Sequence, residues 1–93
     1  MGLSERVPQA EGNPAEQAEQ VEEAKRIRRF QIMFHMVMEV IAQDPKLSIE
    51  EASQMCADCK RAAMAMFPDK ELAYDLIYKP RLQRMMNERF RLQ

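Results

Sequence analysis

Cys56-Ala57-Asp58-Cys59 is the chain's single C-x-x-C pair, a spacing that lets two thiols ligate a metal or cycle to a disulfide. Either use needs more than the pair. A structural zinc takes four ligands, and the sequence holds two cysteines and one histidine in all. A redox pair draws its low thiol pKa from a helix N-terminus, whereas the pattern around these cysteines places them two turns inside a helix. Free cysteine is among the most often buried residue types. Cys56 and Cys59 therefore read as small fillers of a helical seam, with thiol or metal chemistry the weakest of the functional readings. No cofactor is expected.

His35 and Glu39 stand at i,i+4, which would put a ligand pair or an acid–base pair on one helix face. No nucleophile motif, glycine-rich phosphate loop or H-E-x-x-H completes a site around them. They read as part of a solvated stripe with Arg28 and Gln31, and no catalytic residue is assigned.

Two other features point to partners. Lys79, Arg81, Arg84, Arg89 and Arg91 form a basic C-terminal segment whose one acid is Glu88, a net of +4, while residues 1–23 carry six Glu against one Arg, a net of −5. Such a segment can meet phosphates, anionic surfaces or acidic proteins, and Tyr74 and Tyr78 could extend it. The simpler reading is a last helix docked through Leu82, Met86 and Phe90 with its arginines in water or paired with the acidic tail, because no RNA-binding aromatic signature accompanies the charges. The second feature is the methionine content, nine residues. Methionine fills irregular gaps and also makes adaptable binding surfaces. Met33, Met36, Met38 and Val40 leave one helix apolar over more of its circumference than a single neighbour can cover, so they mark a candidate interaction surface.

The elements that position these residues are helical throughout. Glycine occurs only at Gly2 and Gly12, which leaves no tight hairpin beyond them, and residues with high helix propensity dominate. Residues 1–13 read as a disordered tail and 14–93 as one helical domain. Asn13-Pro14-Ala15-Glu16 places a cap, a first-turn proline and a glutamate at the start of a helix that runs to Asp44-Pro45, with Glu22 spaced to pair with Arg26. Its seam is Ile27, Phe30, Phe34, Val37 and Ile41, widened by Met33, Met36 and Val40. Ser48-Ile49-Glu50-Glu51 is a capping box, and the helix behind it has the seam Ile49, Ala52, Cys56, Cys59, Ala63 and Met66. Four of those six are small, a groove suited to the bulky ridge of the first helix. Asp69 is expected to cap a third segment with a seam of Leu72, Ala73, Leu76 and Ile77. Pro80 is expected to kink or break the chain before a last helix, because the apolar stripe changes face there. Met38 and Met64 lie outside the main seams. The fold class is all-α, a small bundle of three to four helices at about 14–43, 48–67, 69–79 and 81–91.

A net charge of −1 excludes a generally basic nucleic-acid coat. The first residues carry no apolar signal-like run, Arg6 stands where a myristoylation motif needs Ser or Thr, and no apolar stretch approaches the roughly 20 residues that span a bilayer. A cytoplasmic protein without membrane contact is the expectation. A helix-turn-helix over 49–78 is disfavoured, since Asp69-Lys70-Glu71 would bring net acid to phosphate. The first functional expectation is a non-enzymatic protein–protein interaction or adaptor module, its partner a second copy or another chain. The alternative is a nucleic-acid-associated accessory protein acting through the basic segment.

Overall fold

The computed structural model describes residues 13–91, so the expected tail lies outside the described residues except for Asn13. Helix α1 spans Pro14–Gln43 and α2 spans Ile49–Met66; α3, Glu71–Ala73, leads directly into a π-helical turn, Tyr74–Tyr78, and then α4, Lys79–Phe90. No strand occurs among the described residues.

Local chemistry explains each boundary. The Glu16 N–H donates to Asn13 Oδ1 at 2.7 Å, and Pro14 occupies the first turn, where a missing N–H costs nothing. At the far end the Lys46 N–H donates to Asp44 Oδ1 at 3.0 Å, closing an Asx turn around Pro45. The α2 capping box forms in both directions: the Glu51 N–H donates to Ser48 Oγ and the Ser48 N–H to Glu51 Oε1. Asp69 is a turn residue, contrary to its expected capping role. The Lys70 N–H donates to the Phe67 carbonyl across Pro68-Asp69, and Lys70 holds the cap position of α3 without a side-chain bond. On α1, Glu22 pairs with Lys25 and Glu23 with Arg26, both at i,i+3, so the expected Glu22–Arg26 pair gives way to nearer neighbours.

Pro80 does not break the helix. Ala73, Tyr74, Tyr78 and Lys79 all keep right-handed helical angles, and the irregularity is the wide turn just before the proline, where the Lys79 N–H donates to the Tyr74 carbonyl five residues back. A proline ring crowds the carbonyl one turn earlier, and a widened turn relieves that crowding. The same turn sets the buried face. Tyr74, Leu82 and Met86 are buried and Tyr78 half-buried, all spaced by four. In a regular α-helix each four-residue step overshoots a full circle by about 40°, so the row would wander about 120° over three steps. A turn holding more residues keeps it on one side. The expected seam of Leu72, Ala73, Leu76 and Ile77 consequently faces outward, with all four exposed.

Phe67 at the end of α2 meets the Phe30 ring edge-on at 6.2 Å, so α2 runs antiparallel to α1. Tyr78 lies 4.8 Å from Phe30 and 5.0 Å from Phe34, while the Arg89 guanidinium donates to the Asp44 carbonyl at 2.8 Å, so α4 runs parallel to α1. The core is Phe30, Phe34 and Ile41 against Ala52, Cys59 and Ala63 on one side and Tyr74, Leu82 and Met86 on the other. Met38 and Met64, expected outside the seams, pack against it half-buried. Burying a side chain such as Phe34 is worth about 1.5–3 kcal/mol.

Candidate functional site

Seating Tyr74 and Tyr78 inward turns their apolar neighbours out. Leu72 is 72% exposed, Leu76 68% and Ile77 50%. Ile77 and Ala73 form one wall of an open groove of about 240 Å³ whose other walls are Ile27 of α1 and Ala63, Met64 and Phe67 at the end of α2. Ile27, expected in the core seam, is 41% exposed here because α2 has already turned away at Pro68. Glu23 and Lys70 rim this otherwise apolar surface. Its floor is the Phe30 ring, which also meets Tyr74 at 6.3 Å and Phe34 at 5.8 Å. The Lys60 ammonium, 3.1 Å from both Glu71 and Asp75, ties α2 to the outward helix, and these contacts raise its pKa.

The methionine surface divides. Met33 and Met38 are half-buried and pack on the core, whereas Met36 is 62% exposed and Val40 is exposed beside it. Ile32, 55% exposed, completes an i,i+4 row with these two along the outer face of α1. Sequence reading missed Ile32 although its spacing to Met36 and Val40 was visible. It also placed Leu72, Leu76 and Ile77 inside; the four-residue spacing of Tyr74, Tyr78, Leu82 and Met86 was the signal that could have turned them out.

Two of the five basic residues are engaged apart from the rest. Arg89 is half-buried, spent on the Asp44 carbonyl, and stacks 4.8 Å over Phe90. Arg81 lies 5.7 Å over the Tyr78 ring. Arg84 and Arg91 are exposed with Glu88 between them in the chain, and Arg91 ends α4 in the left-handed conformation. Lys79 lines a different surface, a groove of about 550 Å³ between α2 and α4 with Lys60, Ser53 and Asn87. Tyr74 faces the core aromatics and does not extend the basic segment, whereas Tyr78 packs on Phe30 and Phe34 and also carries Arg81 over its ring.

Both cysteines are free thiols. Cys59 is buried and Cys56 half-buried, and burial pushes both pKa values up, away from the thiolate that metal binding and exchange require. Cys59 lies beside the buried Tyr74 hydroxyl, whose own pKa is raised strongly by desolvation. Among the described residues no three His, Cys, Asp or Glu side chains are grouped to hold a metal ion, and no helix is long and apolar enough to cross a membrane. His35 and Glu39 are both exposed.

No protein-family model matches the chain, and no curated protein and no solved structure shows significant similarity to it.

Proposed function

We propose that this chain is a non-enzymatic protein–protein interaction module. The groove walled by Ile27, Met64, Phe67 and Ile77, with Leu72 and Leu76 beside it, receives an apolar helix face of a protein partner. The observation that supports this most directly is the outward placement of Ile77 in the wall of a groove already lined with apolar side chains, with Leu72 and Leu76 exposed on the same helical segment. Clustered apolar exposure of this kind on a small helical chain marks a contact surface, whereas single exposed leucines need no explanation. The divided basic residues, with Arg89 held internally, favour this reading over nucleic-acid binding.

A photocrosslinking amino acid in place of Leu76, in the full chain within its native cells, tests the assignment. A discrete protein adduct is expected from position 76 and not from exposed Gln54 on α2. Equal adducts from both positions, no adduct, or adducts to nucleic acid would each overturn it.

A further inference from the structure

The outer face of α1 lies away from the groove and poses a separate question. Every residue from Asn13 to Glu22 is exposed, so the first turns of α1 extend beyond the bundle that supports its second half. The exposed apolar residues on this outer face are Val21, Ile32, Met36 and Val40, and they continue the face from the arm into the bundle. The charges along it are polarised. Lys25, Arg28 and Arg29 stand on the N-terminal side of Ile32, and Glu39 stands on the C-terminal side, all exposed. The last turn of α1 contains no basic residue to offset the negative end of the helix dipole.

We propose that a second copy of this chain docks antiparallel on the outer face of α1, with Ile32 packed against the partner's Ile32. That register follows from the charges. It sets Lys25 opposite the partner's Glu39, twice by symmetry, and brings Arg28 and the partner's Met36 together so that the arginine stem covers the thioether. A parallel copy would oppose Lys25 to the partner's Lys25 and Glu39 to the partner's Glu39, a repulsive arrangement. The overlap from Val21 to Gln43 is roughly 33 Å long at 1.5 Å per residue, and it brings Val21 and Glu22 at the base of each arm onto the last turn of the partner's α1. The 3.8 Å Lys25–Glu22 contact is no obstacle, because both side chains are more than half exposed and can exchange partners.

Sedimentation equilibrium of the full chain from micromolar to millimolar concentration tests this, with circular dichroism confirming that each variant stays helical. The wild-type chain is expected to reach twice its 10.9 kDa mass and Ile32→Glu to remain monomeric. Glu39→Lys should weaken dimerisation at least tenfold, and adding Lys25→Glu to it should restore the affinity to within about threefold, consistent with the coupling energies of close charge pairs. A wild-type chain monomeric throughout, a dimer indifferent to Ile32→Glu, or a double variant no better than Glu39→Lys would overturn the proposal. A monomer that still gives the Leu76 adduct refutes this dimer and leaves the groove reading standing; a dimer without that adduct does the reverse.

Discussion

Replacing Tyr74 by phenylalanine should stabilise the protein. The side chain is 4% exposed, and its hydroxyl, fully out of contact with solvent, reaches no hydrogen-bond partner of good geometry. The Cys59 thiol beside it is a weak partner at best. Burying a hydroxyl without compensation costs about 1–3 kcal/mol in protein mutational data, and the thiol offsets part of that. The ring contacts are unchanged by the substitution: Tyr74 meets Phe30 edge-on at 6.3 Å and stacks on Tyr78 at 6.0 Å through carbon atoms alone. The expected net gain is about 1 kcal/mol, which in a domain of this size raises the melting temperature by roughly 4–8 °C. Urea titration followed by circular dichroism reads the same gain as a higher midpoint at unchanged slope. A variant less stable than wild type by 1 kcal/mol or more would show that the hydroxyl is strongly bonded, and the account of the Tyr74–Cys59 contact would be wrong.

Further perturbations probe the caps, the thiols and the wide turn. Ser48→Ala removes one half of the α2 capping box and should cost about 1 kcal/mol by urea denaturation, with Ser48→Gly costing only a few tenths. Stability should fall as pH rises above about 8.5. The folded-state pKa values of Cys56, Cys59 and Tyr74 lie above their unfolded values, so their contribution is whole below the unfolded pKa and is lost as the pH rises from there through the folded pKa. Denaturation midpoints at pH 7.5 and pH 10 measure the loss, and a flat profile would contradict the burial of these groups. Deleting Leu76, exposed within the π turn, should convert that turn to a regular one at a cost below about 1 kcal/mol. Deleting exposed Ala57 from regular α2 rotates Cys59 and Ala63 by about 100° relative to Ala52 and should unfold the chain. Equal melting temperatures for the two deletions would refute the role given to the turn.

The boundaries of α1 and α2 were legible because they are set by local chemistry: a cap, a capping box and two prolines each act within four residues. Their seams were legible too, since Phe30, Phe34 and Ile41 against Ala52, Cys59 and Ala63 repeat at helical spacing. The third segment was not, because a regular 100° step was imposed on a stretch that contains a π turn. Under that step Leu72 and Leu76 group together as a seam, and the tyrosines fall on a separate face. The exposure of Leu72 and Leu76 depends on which side α1 approaches, a tertiary choice made by the four aromatic rings around Phe30. Likewise, the sequence shows Arg89 as one charge among five, and only the approach of α4 to the end of α1 assigns it to the Asp44 carbonyl.

The ring cluster around Phe30 also bears on how the chain folds. Its members come from α1, the end of α2 and the π turn, with Phe30 and Tyr78 joined across most of the sequence between them. A hairpin of α1 and α2 alone would hold Phe30 against Phe34 and Phe67 and leave its whole tyrosine side in water. Such a hairpin lacks the side of the core that Tyr74, Leu82 and Met86 supply. The bundle is therefore expected to unfold as one cooperative body with the protruding start of α1 fraying separately, which amide hydrogen exchange would read as equal protection of the core positions of α2 and α4.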